Sequence, residues 1–462
     1  MAGQTIVLVG VIAYLAFTLV VGFLAGRNVK EGDDFLVAGR QLPTWLCTFT
    51  VFATWFGAGT CLGAAGAAYQ EGILGVIVDP FGAVLCLVLA GTFFFKPLRR
   101  LRFLTVGDYF RERYGDTTER AVALLLAPIY VLWVASQLVA FGFVVKSITA
   151  LSTTTSIILS TVIVLTYTAV GGMWAVALTD FIQAFVLIGG LLYLLPVVWQ
   201  QAGGWSQIVA RLPKGHLSFW PSKGGLAWLL YCQAWLIGGL GDLPGQELMG
   251  RAMSAKDEET ARSSAYFAGI LYLTVGLVPV FLGMMGAFLI PGLAEKEAEY
   301  ILLKLGLQYL PPVGMALFAG ALISALMSSA DSALLAQASL IVENVIKPYR
   351  PKMDGKEVLR YCRTTVVVSG FVALFVALAA QKVFKLMILA SAFGLVSLAA
   401  PFIMGFWWKG ANEPGALSAM ILGFVTWGTV DLWARVAYPG RDFPSFLPAL
   451  VVSFVTIGVV SK

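Results

Sequence analysis

Ala53-Thr54-Trp55-Phe56-Gly57-Ala58-Gly59-Thr60 and Gly238-Gly239-Leu240-Gly241-Asp242-Leu243-Pro244-Gly245-Gln246 are the two stretches on which the reading of this chain turns. Each sits inside a long apolar run and concentrates glycine with polar groups, so each reads as a membrane helix that unwinds at mid-depth. Irregular backbone at that depth is tolerated only where it lines a cavity or is packed in protein, because unpaired amides and carbonyls are costly in hydrocarbon. One break falls in the second apolar run and the other in the seventh, five runs later. They therefore occupy corresponding points of two five-helix halves, the pattern of an inverted-repeat carrier with its site between the repeats. Close helix packing through small residues is the competing explanation for the glycines.

Composition agrees with a bilayer setting. Of 462 residues, 59% are hydrophobic and only 12% charged, and the mean hydropathy is +0.85. A membrane helix needs about 20 mostly apolar residues, and such runs fill the chain. Thirteen are expected: Thr5–Gly26, Thr44–Tyr69, Gly72–Phe95, Ala121–Val145, Ser156–Gly172, Trp174–Trp199, Leu226–Met249, Ala265–Ile290, Val313–Val345, Thr364–Ala380, Phe384–Trp407, Ala416–Trp433 and Phe446–Val460. The first has neither a basic leader nor a cleavage site and reads as a retained helix. With the N-terminus outside and the C-terminus cytoplasmic, roughly 21 Lys/Arg face the cytoplasm against about 10 outside, as the positive-inside rule favours. Two basic loops dominate that count, Lys96 to Arg120 and Lys347 to Arg363. Within the first, Val106 to Arg113 is amphipathic and reads either as an interfacial helix or as a solvated connector. The expected organisation is 1–43 as a first helix and cytoplasmic loop, 44–199 and 200–407 as the two repeats, the second with its preceding external loop, and 408–462 as two C-terminal helices.

The ninth run carries a polar stripe, Ala325-Leu326-Met327-Ser328-Ser329-Ala330-Asp331-Ser332. At about 100° per residue, Ala325, Ser328, Ser329 and Ser332 share one narrow face, with Asp331 at its edge. Hydroxyls facing freed carbonyls of an unwound segment form an oxygen cage suited to a hard cation such as sodium. Intramembrane carboxylates mark functional sites by default, and Asp79, Asp180, Asp242 and Asp331 fall inside the runs with no evident Lys or Arg partner there. Asp79 and Asp242, with Trp55 and Trp133, are expected to surround a solute at the two breaks, joined by Gln246. That set favours a cationic, zwitterionic or hydroxyl-rich ligand.

Taken together, these motifs resemble the sodium/solute symporter family, whose members share a five-plus-five core called the LeuT-like fold. The likeness covers essentially the whole chain and is carried by Ala325 to Ser332, Thr166 to Gln183, Ala53 to Tyr69 and the run from Lys96 to Arg100. The resemblance implies an all-α polytopic membrane protein and a sodium site built from the carbonyls of Ala53, Phe56 and Ala325 and the hydroxyls of Ser328 and Ser329. It also marks Asp180, Asp331 and Ser332 as the place of a second cation or of coupling. Among branches, the chain looks nearest to the high-affinity choline transporters. Trp55 and Trp133 match two walls of their aromatic cage, while Ala83 and Gly245 stand where other walls would be. Asp79 falls at a sugar-contacting position of another branch.

The implied function is sodium-coupled import of a small organic solute across the cell (inner) membrane by alternating access, with sodium as the coupling ion. A proton-coupled carrier and a transporter-like sensor are the alternatives. The partners implied are the solute, sodium and lipid, with neither nucleic acid nor an obligate protein. No enzyme is expected, since the runs hold no catalytic dyad and the only histidine, His216, reads as a solvated residue of an external loop. Five scattered cysteines form no CxxC pair and imply neither a disulfide framework nor a metal site.

Overall fold

Within hydrocarbon a backbone can pair only with itself, so apolar runs of this length fold as helices. The computed structural model describes residues 2–26, 31–222, 224–380, 383–439 and 443–462. Of the basic residues counted for orientation, Arg27, Lys30, Lys223, Lys382 and Arg441 lie outside the described residues. The principal helices are α1 (Ala2–Gly26), α2 (Thr44–Trp55), α3 (59–71), α4 (77–101), α5 (Val106–Tyr114), α6 (Asp116–Ile148) and α7 (Thr153–Ala202). They continue as α8 (Leu226–Leu240), α9 (Gln246–Ser254), α10 (Glu258–Leu289), α11 (Pro312–Leu340), α12 (Gly355–Ala380), α13 (Val383–Trp407), α14 (Glu413–Ala437) and α15 (Phe446–Val460). No strand occurs among the described residues beyond one isolated bridge, Leu42 to Ala255.

Nine helices among the described residues are long and apolar enough to cross a bilayer, and Thr153–Thr166, Leu226–Leu240 and Phe446–Val460 are shorter apolar ones. The difference from thirteen expected runs arises where the fold interrupts or joins them. The second run is split into α2 and α3 and the seventh into α8 and α9, whereas α3 and α4 follow one another along a single stretch, Gly59–Leu101. The fifth and sixth runs join as α7, turned at Gly172 (φ 62°, ψ 179°).

α11 is the axis of the molecule. Every residue from Phe318 to Leu340 is buried, and the helix packs mainly against α7, α6 and α1. A helix buried all round has no solvated face on which its serines could be placed, so their hydroxyls must find partners in protein. α1 is tied to this axis through Tyr14, whose hydroxyl lies 2.5 Å from Ser324 Oγ.

Two loop segments differ from expectation. α5 is helical and lays its apolar face on protein, with Val106, Tyr109, Phe110 and Tyr114 buried while Arg111 and Glu112 are exposed. It opens on a capping box in which Thr105 Oγ1 accepts from the Asp108 amide (3.2 Å) and Asp108 Oδ2 accepts from the Thr105 amide (3.1 Å). The Tyr109 ring stacks on Phe406 at 4.3 Å, and Tyr114 donates to the Pro401 carbonyl at 2.7 Å. Burial pushes both phenols well above their ordinary pKa, so they stay protonated donors at physiological pH. His216, expected in solvent, is buried: its carbonyl accepts from the Ile73 amide at 2.8 Å, folding the loop between α7 and α8 over the end of α3.

Gly172 provides a test of this architecture. Its backbone occupies a region open essentially to glycine alone, and an added Cβ would lie 2.9 Å from the Phe35 ring. Gly172→Ala is expected to destabilise the purified protein by about 1–3 kcal/mol, read as a lowered Tm. Gly189→Ala, where an added Cβ would meet nothing within 4 Å, should leave Tm unchanged or raised.

Candidate functional site

The first break releases backbone groups in the interior, and neighbouring helices satisfy them. α2 ends at Trp55; Phe56 is non-helical (φ −75°, ψ 65°), and the chain resumes through a π-helical stretch over Gly59–Ala64. The Ala58 amide donates to Gln137 Oε1 on α6 at 2.8 Å. The Trp55 carbonyl accepts from Tyr272 of α10 at 3.3 Å. At Gly57, an added Cβ would collide with the Ser329 hydroxyl, so the absence of a side chain there lets α11 approach.

On the other side of the break an oxygen cluster forms. Ser328 Oγ lies 3.0 Å from the Ala53 carbonyl and 2.7 Å from Asp180 Oδ1, and Ser329 Oγ lies 3.4 Å from the same carbonyl. Thr50 donates to Asp180 Oδ2 at 2.5 Å. The single Ser328 proton serves one of two acceptors at a time, so the cluster has more lone pairs than protons. A hard cation satisfies such a set. Ala325 and Ser332 are buried on the same helix. The five residues expected at a principal cation site thus fall on the break and on α11 beside it, and Asp180 joins the same cluster.

One expectation fails here. Asp180 has a basic neighbour after all: Arg251 of α9, with 1% of its side chain exposed, places Nη2 3.9 Å from Asp180 Oδ2 and 2.5 Å from Ser332 Oγ. Arg251 lies just past the boundary drawn for the seventh run. The chain continues past the unwound turn as α9, whose residues Gln246 to Ser254 are all buried, so the arginine stays inside the protein.

The second break is a turn over 241–245 closed by the Leu243 amide on the Leu240 carbonyl (3.3 Å) and the Gly245 amide on the Asp242 carbonyl (3.0 Å). It faces a small cavity walled by Leu126, Ile129, Tyr130 and Trp133 of α6, by Gly241, Asp242, Gly245 and Glu247, and by Ala390 and Gly394 of α13. Asp242 Oδ2 accepts from Ser391 at 2.9 Å. The Glu247 carboxylate accepts from the Tyr130 hydroxyl and, at 3.3 Å, from the Trp55 indole N–H. Tyr130 Oη in turn accepts from the Gln246 amide at 2.7 Å and the Glu247 amide at 3.3 Å, capping the start of α9. Two carboxylates and two aromatic rings therefore share one wall, without a lysine or arginine among the lining residues.

Residues 35–423 match the Sodium:solute symporter family. The chain belongs to that family. It is 31% identical to high-affinity choline transporter 1 of Drosophila melanogaster over 98% of this chain and 77% of that one. It is 27% identical to a sodium/pantothenate symporter of Haemophilus influenzae over 99% and 96%. Among solved structures, a Na+-coupled sialic acid symporter in a substrate-bound outward-open state superposes with a TM-score of 0.84 at 18% identity, covering 99% of this chain and 97% of that one. The protein thus has the LeuT-like fold and is a sodium-coupled solute symporter of the membrane rather than an enzyme.

Not every expected solute residue of this symporter reaches the cavity. Trp133 and Asp242 line it, and Trp55 reaches its Glu247 through the indole. The Gln246 side chain turns to the start of α5, accepting from the Val106 amide at 2.6 Å and donating to the Leu104 carbonyl at 3.4 Å, so it positions α5 instead. Asp79 accepts from Thr60 (2.6 Å) and Tyr272 (3.0 Å) and so braces the first break. Glu247 and Tyr130 escaped the sequence reading. Glu247 was legible as one more acid inside the seventh run, immediately after the unwound glycines; an isolated tyrosine on α6 carried no signal.

The bond from Ala58 to Gln137 offers a direct check. Gln137→Leu leaves a buried amide without its acceptor and is expected to cost about 1–3 kcal/mol, lowering Tm, whereas Gln137→Glu retains an acceptor and should lose less.

Proposed function

We propose that this symporter binds its driving sodium ion at the carbonyls of Ala53, Phe56 and Ala325 and the hydroxyls of Ser328 and Ser329. Its solute, a small organic cation such as an amine or quaternary ammonium, then sits between Trp133, Tyr130, Asp242 and Glu247. The observation that carries the solute class is a pair of acids, buried Glu247 and half-buried Asp242, in one cavity with no basic residue in its wall. Uncompensated buried charge is costly, and a cationic ligand offsets it where an anion would be repelled. Aromatic faces add attraction for an ammonium group. The likeness to transporters named for choline supports the same class.

Sodium rather than a proton suits the cage because its five proposed ligands are neutral carbonyls and hydroxyls, none of which must titrate, although Asp180 stands beside them. Sodium in the cage would draw the Ala53 carbonyl and α11 together, favouring the solute-competent state and so coupling the two ligands. The repeats are assigned to 44–199 and 200–407 and the protein to the cell membrane, with its N-terminus outside and its C-terminus in the cytoplasm. That orientation is supported by the two basic loops meeting on one side, where Thr105 donates to Asn344 at 2.7 Å and Arg120 lies over the Tyr349 ring at 5.1 Å. No obligate protein partner is needed for this cycle.

Ser328→Ala and Ser329→Ala each remove a cage oxygen and are expected to cost about 1–3 kcal/mol of sodium binding, raising the concentration for half-maximal uptake roughly 5- to 150-fold. Wild-type sodium dependence in both would refute the cage. Separately, choline and other amines are tested by thermal shift with and without sodium. Glu247→Gln and Asp242→Asn should each weaken the amine response at least about tenfold, a loss of about 1.4 kcal/mol, while sodium binding without solute is retained. Unaltered amine affinity in both variants would remove these acids from the solute site.

A further inference from the structure

The Glu247 carboxylate is held as a hydrogen-bond acceptor at both of its oxygens. Oε1 accepts from the Trp55 indole at 3.3 Å, a group that can only donate, and Oε2 accepts from the Tyr130 hydroxyl. That hydroxyl cannot turn away, because its lone pairs already take the Gln246 amide at 2.7 Å and the Glu247 amide at 3.3 Å, which leaves its single proton for the carboxylate. A carboxylate has about four acceptor positions, so these two bonds leave capacity for a ligand in the cavity that Glu247 lines. Asp242 adds a second carboxylate to the same wall, with Oδ2 taken by Ser391 at 2.9 Å. We propose that the solute is a small primary or secondary amine, an ammonium that keeps at least one N–H, and that Glu247 selects it against a quaternary ammonium by accepting that N–H.

The proposal deepens the cationic-solute reading above and rests on it. Positive charge alone admits both kinds of ligand; hydrogen-bond chemistry separates them. A quaternary ammonium carries no donor, so carboxylate oxygens that it covers lose water and receive no hydrogen bond in return. A site built to bond an N–H rejects the analogue without one for this reason. The rings of Trp133 and Tyr130 attract either cation and so do not reverse the preference.

Gly245 shows that the carboxylate is placed here by the chain. Its backbone is ordinary and extended (φ −67°, ψ 129°), open to any residue, yet an added Cβ would collide with both Glu247 oxygens. The missing side chain therefore makes room for the carboxylate rather than for the turn, and Gly245 is a positioning residue for Glu247. Leu126, Ile129 and Ala390 line the cavity beside these polar groups and offer apolar surface to a short carbon chain.

The probes are ethanolamine, N-methylethanolamine, N,N-dimethylethanolamine and choline, which share a hydroxyethyl group and a positive charge and lose one N–H at each step. Their affinities for the purified full-length protein in saturating sodium are measured by titration calorimetry and thermal shift. Affinity is expected to fall along the series, by at least about tenfold from ethanolamine to choline. Gly245→Ala, which keeps the charge but displaces the carboxylate, should narrow that difference. Glu247→Gln should narrow it too, because the one remaining oxygen is claimed by Tyr130. Choline bound as tightly as ethanolamine by wild type, or the full wild-type difference kept in both folded variants, would overturn the N–H assignment while leaving a cationic solute in place. Absence of sodium-dependent binding by every member of the series overturns the cationic reading and this assignment with it. Should neither variant fold, the wild-type series decides alone.

Discussion

A backbone interrupted inside a bilayer must have every freed amide and carbonyl paired by something other than its own helix, and the architecture of this protein follows from that requirement. At the first break the partners are drawn from three different helices: Gln137 of α6 for the Ala58 amide, Tyr272 of α10 for the Trp55 carbonyl, and the Ser328 and Ser329 hydroxyls of α11 beside the Ala53 carbonyl. Those demands set where α6, α10 and α11 stand. They also account for Gly57, whose missing side chain is what allows α11 close enough for its serines to reach the break. The same oxygens that repair the backbone are the ones available to a cation.

The second break solves the problem differently. Its turn is closed largely by its own short-range hydrogen bonds, and the Tyr130 hydroxyl then caps the helix that follows. The side chains around it pair with one another instead, Asp242 with Ser391 and Glu247 with Tyr130 and Trp55. This asymmetry distinguishes the two breaks, the first bringing backbone oxygens beside serine hydroxyls and the second gathering carboxylates and aromatic rings around a cavity. α9 spans the distance between them, with Glu247 at one side and Arg251 at the other.

Charge placement in the first basic loop is structural as well. Arg99 donates to the Ala255 and Lys256 carbonyls, Arg100 pairs with Glu258 and Lys96 with Glu259, so the first basic loop holds the segment after α9. Arg113 donates to the Gly405 and Trp408 carbonyls at 2.8 Å each, satisfying the end of α13. Residues counted in the sequence for orientation alone thus also fasten the ends of helices that bear the site.

The sequence alone determined the membrane class, the two broken helices, the buried face of Ser328 and Ser329 and the placement of Asp180 and Asp242 inside apolar runs. Each of these rests on local chemistry: apolar length, glycine clustering, helical periodicity and the cost of a charge in hydrocarbon. Sequence reasoning went astray with Gln246, which turns to the loop, and with His216, which is buried, because the direction of a side chain beside a break depends on a path that no periodic rule describes. Only the tertiary structure decided that Arg251 enters the protein, that Glu247 and Tyr130 join Asp242 in one cavity, and that Asp79 braces backbone. Those partners lie up to some two hundred residues apart, as with Tyr272 and Asp79 at a separation of 193, and pairing at such distance is set by how the helices pack rather than by any spacing along the chain.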